Sequence, residues 1–520
     1  MKKNKRYDDQ EKSIDPATLE MLRNADQEGL ETAWDRLEAM EPQCKFGLEG
    51  TCCRICNMGP CRIVPNRTET GVCGANEDTI TARNLIRMIA GGAAAHSDHG
   101  RDVAKALLLA ATEKKSDYEV KDPYKLRAVA VDYGIDLEDK NNEELAKEVA
   151  EKALSEFGQQ TGTLQLAERA PEARLKKWRE QGVMPRGVDR EITEIMHRTH
   201  MGVDTDYNHL IRQGIRASLS DGWGGSMIAT DLQDILFGTP SPLQSTCNLG
   251  TLEEDEVNII VHGHEPTLSE VVLHAARDPE LINLAKQNGA KGINIAGLCC
   301  TANEILMRHG IPTAGNFLQQ ELAVMTGATD LMMVDVQCIM PALSDLVNRF
   351  HTKLVTTSPK AKFPGVEHIE FEEESALEIA KKLVKMGVDN FENRDKEPFI
   401  PDETMDLIGG FSSESVFHFL GGTYRATYRP LNDAIIDGRL RGVAGVVGCN
   451  NPKITHDFGH VEMAKELIKH DILVVTGGCS AIADAKAGLM KPEAAFEYAG
   501  EGLTEICRTV GLPPVLHLGS

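Results

Sequence analysis

Short apolar runs alternate with helical segments from about residue 240 onward, which is the pattern of parallel α/β units. Strands are predicted at 257–261, 293–298, 331–336, 443–447, 472–475 and 515–518. Helices are predicted after the first three strands, at 268–288, 302–309 and up to about residue 350. The polar stretch 389–402, which contains two prolines, suits a linker between two α/β blocks.

Before residue 240 the apolar positions follow a helical period. Apolar residues recur every four positions at Leu145, Val149, Ala153 and Phe157, as on the buried face of an amphipathic helix. A long helix is predicted from about residue 80 to residue 112. We therefore expect an α/β protein with three parts, which are an N-terminal all-helical domain (1–240), a first α/β domain (241–395) and a second α/β domain (396–520).

The composition describes a globular and acidic protein. Of 520 residues, 41% are hydrophobic and 26% are charged, and the formal net charge of −23 argues against nucleic acid or an anionic membrane surface as a partner. The sequence shows no membrane span and no signal peptide, so we expect a cytoplasmic protein. Thirteen cysteines in a reducing compartment then indicate metal ligands and not a disulfide framework.

Six cysteines lie within thirty residues near the start of the chain, at Cys44, Cys52, Cys53, Cys56, Cys61 and Cys73. Short Cys-x-x-Cys steps in a loop with glycine and proline favour an iron–sulfur cluster, because several thiolates must reach one small group of metal atoms. Zinc also binds Cys-x-x-Cys, but one tetrahedral zinc ion does not need six thiolates.

These six cysteines divide into a set of four and a remaining pair. Cys53, Cys56, Cys61 and Cys73 make one complete ligand set, whereas two thiolates cannot hold a four-iron cluster. A two-fold symmetric dimer would bring two copies of the pair together. The sequence thus predicts a second cluster shared between subunits, and the alternative is that the pair is unliganded.

Metal-binding residue types follow five predicted strands at the point where each strand ends. They are His264, Cys299 with Cys300, Cys338, Cys449 and Cys479. Because open α/β sheets bind ligands beyond the carboxyl ends of their strands, two facing blocks would direct these groups into one cleft. The set is too large for one zinc ion and suits a mixed-metal cluster held by soft thiolates and an imidazole. Cys247 and Cys507 lie off this pattern, and we expect them to be structural.

Two histidines stand three residues apart in the predicted long helix. His96 and His99 would share one helix face, and the small residues at 91–95 would let a backbone or a cofactor approach closely. The alternative, an ordinary polar helix face, stays open on this observation. Further along, the segment 221–226 lacks the lysine of a phosphate-binding loop and is predicted to be a tight turn.

Together these segments resemble the anaerobic nickel–iron carbon monoxide dehydrogenases over essentially the whole chain. The motifs that carry the resemblance are the cysteine run 44–73, Gly-Ala-Ala-Ala-His-Ser-Asp-His-Gly at 92–100, Asp-Gly-Trp-Gly-Gly at 221–225, His-Gly-His at 262–264, Gly-Leu-Cys-Cys-Thr at 297–301, Asp-Val-Gln-Cys at 335–338, Gly-Cys-Asn-Asn-Pro at 448–452 and Gly-Gly-Cys at 477–479. The resemblance implies a helical cluster-bearing domain followed by two Rossmann-like parallel α/β domains.

The resemblance also implies roles for the candidate residues. One 4Fe–4S cluster per chain would be held by Cys53, Cys56, Cys61 and Cys73, and half of a 4Fe–4S cluster shared in the dimer by Cys44 and Cys52. A nickel–iron–sulfur active-site cluster would be held by His264, Cys300, Cys338, Cys449 and Cys479, with Cys299 as an alternate ligand. His96 would act as proton shuttle at that site, His99 would continue the proton path, and Asp221 would be a nearby supporting carboxylate.

The implied reaction is the oxidation of carbon monoxide with water to carbon dioxide. Metal ions acidify a bound water, and two electrons would pass through the 4Fe–4S clusters to ferredoxin. The implied assembly is a homodimer, and a nickel-insertion ATPase or an acetyl-CoA synthase is a further candidate partner.

The printed sequence departs from the family at its end. In the family, the strand after Pro513 and Pro514 leads into a nickel-binding cysteine and a later lysine, but here the sequence stops at Ser520. We expect the chain to continue, with cysteine or selenocysteine as the nickel ligand, so the second Rossmann-like domain is incomplete as printed. A natural end without full activity is the less favoured explanation.

Two other functions compete with this interpretation. A hybrid-cluster protein of the hydroxylamine reductase type shares the fold but uses carboxylate ligands at its cluster, and the paired and strand-end cysteines argue against it. A nickel-free paralogue that transfers electrons or senses redox state is the second alternative. The nickel content of the purified protein would distinguish these alternatives from a carbon monoxide dehydrogenase.

Overall fold

The computed structural model describes residues 9–113, 116–394, 397–421 and 427–519. It is a mixed α/β structure with many helices and a sheet rich in parallel strands, which confirms the predicted fold class at this level. The assignment of its parts to Rossmann-like domains stays a prediction, and any continuation past Ser520 lies outside the described residues.

The strands are β1 (Cys52–Cys53), β2 (Cys61–Arg62), β3 (Leu243–Cys247), β4 (Val257–Gly263), β5 (Ile293–Leu298), β6 (Thr313–Gly315), β7 (Thr329–Val334), β8 (Lys353–Thr356), β9 (Glu367–His368), β10 (Met405–Gly409), β11 (Gly442–Val447), β12 (Ile472–Gly477) and β13 (Val515–His517). Each of the six strands predicted from the apolar runs is present, with ends that shift by at most two residues.

The α-helices are α1 (Asp9–Lys12), α2 (Pro16–Glu28), α3 (Ala33–Ala39), α4 (Lys45–Leu48), α5 (Glu77–Thr112), α6 (Pro123–Asp132), α7 (Asn142–Gly158), α8 (Glu172–Glu180), α9 (Val188–Arg198), α10 (Tyr207–Ser220), α11 (Ser226–Phe237), α12 (Pro266–Ala276), α13 (Pro279–Gln287), α14 (Cys299–His309), α15 (Gln320–Met325), α16 (Leu343–Leu346), α17 (Ala376–Asn390), α18 (Ser413–Gly421), α19 (Arg429–Ile436), α20 (Phe458–Lys469), α21 (Gly478–Lys486), α22 (Ala494–Tyr498) and α23 (Glu501–Val510). The helix predicted at 268–288 is divided into α12 and α13, because Asp278 caps a new helix that starts with Pro279.

The chain forms two compact units. One, which we call the α/β unit, combines the residues up to Ala39 with those from Thr239 onward, and the other, the middle unit, spans Met40–Gly238. The described residues 9–39 therefore group with the α/β unit, although the sequence analysis assigns them to the helical domain. The apolar face of α2, with Met21 and Leu22, is buried in the same core as Leu318 and Leu322.

The α/β unit contains an eight-stranded sheet and a three-stranded sheet. The strand order of the larger sheet is β10-β3-β6-β5-β4-β7-β8-β9, and its ladders are parallel except for the antiparallel β10–β3 pair. Every residue of β4 is buried, as expected for a central strand of a parallel sheet covered on both faces. The smaller sheet has the parallel order β11-β12-β13.

The stretch 389–402, which is predicted to be a linker, is bonded to the larger sheet where the structure describes it. It begins inside α17, and Arg394 then donates to the buried carboxylate of Asp330 at 2.9 and 2.6 Å. After this point β10 joins β3 of the larger sheet, so residues predicted for the second α/β domain complete the first sheet.

The middle unit is built around α5, a helix of 36 residues capped by the Asn76 side chain. Helices α7, α9, α10 and α11 pack along it, and a hairpin of β1 and β2 precedes it. The predicted apolar face of α7 is buried at all four positions. Over the described ranges, no helix combines the length and the apolar content needed to cross a bilayer.

Candidate metal centres

The early cysteine run forms a pocket in the middle unit. Four thiol residues line it together with apolar side chains, and they are Cys53, Cys56, Cys61 and Cys73. The β1–β2 hairpin pairs Cys53 with Cys61, and the backbone N–H of Val72 donates to Cys61 Sγ at 3.4 Å. The Asn84 side chain on α5 donates to the carbonyl of Cys52 at 3.0 Å and so holds the hairpin against this helix.

The remaining pair of this run lies outside that pocket lining. Cys44 is exposed at the start of α4, and Cys52 is half-buried next to Cys53. The structure therefore brings together the same four cysteines that the sequence groups as one ligand set. The ligand roles of all six cysteines stay predictions.

The second group of candidates lies in the α/β unit, where three neighbouring parallel strands end. Strand β4 lies between β5 and β7, so the residues that follow these strands emerge side by side. They are His264 after β4, Cys299 and Cys300 after β5, and Cys338 after β7. Cys449 and Cys479 follow the adjacent strands β11 and β12 of the smaller sheet.

Backbone strain is concentrated at these positions. Cys299, Gln337 and Cys338 have positive φ angles of 61°, 66° and 60°, a region that residues with a side chain rarely adopt. Such strain persists only where surrounding contacts enforce it, and it is typical of functional sites. The glycines Gly448 and Gly478, which precede two further thiols, also have positive φ angles.

The five strand-end thiols of the α/β unit lie close together. Cys299 contacts Cys338 and Cys479, and Cys449 contacts the same two residues. Cys300 lies near Cys338, Cys449 and Cys479. Within the described residues, no group of three or more His, Cys, Asp or Glu side chains is arranged to hold a single metal ion.

Crowding and burial make these thiols hard to ionise. Hydrogen-bond contact with Cys338 and Cys479, together with burial, raises the pKa of Cys299 well above its usual range. Burial and the neighbouring thiols act in the same direction on the pKa of Cys300. Contact with Cys299 acts to lower the pKa of Cys479, but contact with Cys449 and burial outweigh it and raise this pKa to about 12. Five adjacent thiolates need cations among them, so the donor set fits a cluster of several soft metal ions.

Asp335 is a site residue that the sequence analysis quoted within a motif without assigning it a role. Its buried carboxylate accepts from the backbone N–H groups of His264 at 2.6 Å and Glu265 at 3.1 Å, and from the Thr301 hydroxyl at 3.1 Å. Burial raises the pKa of Asp335 to about 7, although these hydrogen bonds act to lower it. An acidic residue directly after a buried strand was the signal available in the sequence.

His96 is paired with Asp221 within the middle unit. The Nδ1 atom of His96 donates to Asp221 Oδ1 at 2.7 Å, and Ser226 Oγ lies 3.2 Å from the same nitrogen. The predicted tight turn at 221–226 is wrong, because Asp221–Gly225 is a π-helical turn that joins α10 to α11. Such turns inside helices are frequent at functional sites.

Small residues let this turn approach α5 closely. A Cβ atom on Gly100 would lie 2.6 Å from the Gly225 carbonyl oxygen, and one on Gly225 would lie 3.0 Å from the backbone of His96. One turn further along α5, the buried His99 lies with its Nε2 atom 2.6 Å from Gln233 Nε2. His96 and His99 are therefore both packed against the α10–α11 segment.

The two buried cysteines outside the pattern differ from this group. Cys247 and Cys507 lie in the apolar core around the three-stranded sheet, and burial raises the pKa of each thiol to about 12.

The thiol-rich sites are of the kind that holds clusters of soft metal ions, and comparison with known proteins identifies the class as oxidoreductases and also the family. The sequence model of the Prismane/CO dehydrogenase family matches residues 51–520. The chain belongs to this family.

The relatives within the family are similar over almost the whole chain. Carbon monoxide dehydrogenase 1 of Methanosarcina mazei is 58% identical over 98% of this chain and 81% of its own length. A nickel-free crystal structure of carbon monoxide dehydrogenase from Thermococcus sp. AM4, produced without the maturase CooC, matches with a TM-score of 0.96 and 50% identity, over 99% of this chain and 82% of that one. A structure of acetyl-CoA synthase/carbon monoxide dehydrogenase with NiZn[Fe4S4] and NiNi[Fe4S4] clusters matches with a TM-score of 0.94 and 44% identity, over 98% and 78%.

We predict that Gly263→Ala disrupts the support of His264. Gly263 has a φ of 137°, and a Cβ atom there would overlap Asp335 Oδ1, so the carboxylate must move away from the backbone of His264. We expect a lower thermal unfolding midpoint and reduced metal content, with a loss of roughly 1–3 kcal/mol from displaced hydrogen bonds in addition to the backbone strain.

Gly289→Ala is the matched control, because Gly289 has a φ of 91° but no atom within 4 Å of a new Cβ. The loss of stability in this control therefore measures the cost of a side chain at a positive φ without any overlap. Equal losses of stability and metal in the two variants would show that the overlap with Asp335 has no effect.

Proposed function

We propose that this chain oxidises carbon monoxide with water to carbon dioxide and passes two electrons to a ferredoxin-type acceptor. The observation that carries the proposal is the group of five adjacent thiols beyond the strand ends of the α/β unit, together with His264. The 58% identity to a carbon monoxide dehydrogenase supports it. The hybrid-cluster alternative is not favoured, because thiols and not carboxylates dominate this donor set.

In this proposal, His264 and the strand-end thiols would hold a nickel–iron–sulfur cluster. When bound, such a cluster supplies a metal site for carbon monoxide, an acidified water and a place for two electrons. The chain's own residues prepare the site. The thiols release their protons as they bind metal, and Asp335 fixes the backbone that carries His264, with Cys299 as an alternate ligand to Cys300.

Proton transfer is assigned to His96, His99 and Asp221. Asp221 accepts the Nδ1 proton of His96 and so fixes the ring through that nitrogen. The Nε2 atom is assigned to exchange a proton with the reaction. The hydrogen bond to Asp221 also sets the tautomer of the ring, since the bond made by one imidazole nitrogen decides which nitrogen carries the proton. His99, packed one turn away, continues the path outward.

Electron transfer is assigned to the cysteines of the middle unit. The pocket lined by four cysteines would hold one 4Fe–4S cluster per chain, and Cys44 with Cys52 would hold half of a second one in a homodimer. The exposure of Cys44 suits a ligand that meets a partner subunit. We place the enzyme in the cytoplasm, with a nickel-insertion ATPase or an acetyl-CoA synthase as further partners. The nickel-free relative that was produced without the maturase CooC and the relative that is part of an acetyl-CoA synthase/carbon monoxide dehydrogenase support these two candidates.

The direct test is the reduction of a viologen dye with carbon monoxide, using full-length protein prepared anaerobically with nickel and iron measured on the same sample. We expect activity that depends on nickel, and we expect Cys300→Ser to lower it about 100-fold or more because a metal ligand is weakened. Cys507→Ala, which changes a core cysteine, should retain the wild-type rate. Full iron with no nickel and no carbon monoxide-dependent reduction would identify a nickel-free redox protein instead.

We predict that Asp221→Asn slows the reaction without removing metal. The variant keeps an acceptor for His96 but loses the negative charge, so kcat should fall roughly 10- to 100-fold, while the KM for carbon monoxide and the nickel content stay unchanged. Asp132→Asn is the control, because Asp132 pairs with Arg169 at the surface of the same unit. A wild-type kcat in the Asp221 variant would exclude the proposed proton transfer role.

We predict that the double variant Cys44→Ser/Cys52→Ser loses the shared cluster only. Its iron content should fall by about two atoms per chain, which is half of a four-iron cluster, and its dimer should dissociate more readily in sedimentation experiments. The cluster in the four-cysteine pocket should keep its visible absorption. An unchanged iron content would mean that the pair is unliganded.

A further inference from the structure

A buried ionic group lies in the α/β unit, apart from the metal-binding side chains. Lys486 Nζ is 2.7 Å from Asp457 Oδ2 and 3.8 Å from Asp15 Oδ2, and it donates to Gln319 Oε1 at 2.7 Å. The side chains of Lys486, Asp457 and Asp15 are each exposed by 3% or less. None of these residues has a role in the proposed reaction.

The two members of the ion pair sit on the two segments that carry the thiols of the smaller sheet. Lys486 is the last residue of α21, whose second residue is Cys479. Asp457 ends the loop that begins at Cys449. It closes that loop through a reciprocal contact, in which Asn450 Nδ2 donates to Asp457 Oδ1 and the Asp457 N–H donates to Asn450 Oδ1, both at 3.1 Å.

A third thiol is connected to the same group through the short helix Phe317–Gln319. Asp457 Oδ1 accepts from Asn316 Nδ2 at 2.8 Å, directly before this helix, and the thiol of Cys479 contacts the backbone of Phe317. Directly after it, Gln320 Nε2 donates to the carbonyl of Cys338 at 3.0 Å. The ionic group therefore touches elements that hold Cys338, Cys449 and Cys479.

The N-terminal segment completes the group. Asp15 caps α2 and accepts from Asn248 Nδ2 at 2.7 Å. The backbone on either side of Ser13 pairs with His456, since the Ile14 N–H donates to the His456 carbonyl and the His456 N–H donates to the Lys12 carbonyl. The end of the Cys449 loop is thus docked against the start of the described chain.

The charges show that Lys486 is the cation of this group. Burial lowers the pKa of His456 to about 4, so its ring is neutral near pH 7. Burial acts to lower the pKa of Lys486, but Asp15 and Asp457 outweigh it and raise this pKa. Removing either partner of such a buried pair leaves an uncompensated charge, whereas the pair as a whole adds little stability. In some proteins such a pair fixes a specific geometry instead.

We propose that the Lys486–Asp457 ion pair is a positioning pair for the metal cluster. It holds the loop of Cys449 and the helix of Cys479 at the separation that metal binding needs, with the docked N-terminal segment as its third member. The inference rests on the proposed function only in that these thiols bind a nickel-containing cluster.

The test is loading of nickel into anaerobically prepared, nickel-free full-length protein, followed by the paramagnetic resonance spectrum of the cluster. The double variant Lys486→Met/Asp457→Asn removes both charges of the ion pair. The amide oxygen of the new side chain at position 457 can still accept the hydrogen bond from Asn450. We expect the nickel concentration for half-loading to rise roughly 10-fold and the spectrum to broaden, while the iron of the four-cysteine pocket is unchanged.

The matched control is Arg394→Met/Asp330→Asn, which removes another buried ion pair of this unit, at the start of β7 and so at the opposite end of that strand from the loop of Cys338. It should load nickel within about twofold of wild type. Asn450→Ala, which changes no charge, is the second variant and covers the case in which the first does not fold. Asn450→Ala should also weaken nickel loading. Lys486→Arg, which keeps a cation opposite Asp457, should recover most of the nickel loading that is lost without that cation.

Wild-type loading and spectra in both Lys486→Met/Asp457→Asn and Asn450→Ala would overturn the inference, as would an equal loss in the Arg394 control. If wild-type protein loads nickel but oxidises no carbon monoxide, the proposed function fails while the positioning role is still decided by the variants. If wild-type protein takes up no nickel at all, both fail.

Discussion

Five adjacent thiols cannot all ionise side by side unless cations lie among them, and the α/β unit is arranged around this constraint. Contact with Cys338 and Cys479 and burial raise the pKa of Cys299. Contact with Cys299 acts to lower the pKa of Cys338 and Cys479, but contact with Cys449 and burial outweigh it and raise both. Metal ions bound among the thiolates remove the repulsion between them, so that the same sulfur atoms can serve as ligands of a cluster. Because the bare thiols repel one another as they ionise, the surrounding structure must hold them in place.

The strand-end thiols and His264 are held in place by strained backbone and by buried polar contacts. Cys299 and Cys338 keep left-handed backbone conformations, and Asp335 binds the backbone next to His264. The ion pair of Lys486 and Asp457 adds a second layer behind the thiols of the smaller sheet. A core of apolar side chains alone can repack with small shifts, whereas these directional contacts tolerate little displacement.

Much of the site could be anticipated from the chain, because parallel strands impose a simple rule. Buried runs such as 293–298 are recognisable from their apolar residues, and the side chains that follow neighbouring parallel strands must emerge at one edge. The grouping of Cys53, Cys56, Cys61 and Cys73 followed from their short spacing, and one pocket is lined by all four. Asp221 was expected near His96 only through resemblance, and their 2.7 Å contact is a tertiary one.

The sequence by itself determined where the six predicted strands lie and which four cysteines line one pocket, and it predicted the metal-ligand roles, since these depend on local pattern and short spacing. Only the tertiary structure decided that α2 packs into the α/β core, that Asp221–Gly225 continues a helix as a π turn, and that Asp15 meets Lys486. Asp15 and Lys486 are separated by most of the chain. Their contact depends on how whole elements pack, and no local pattern encodes that.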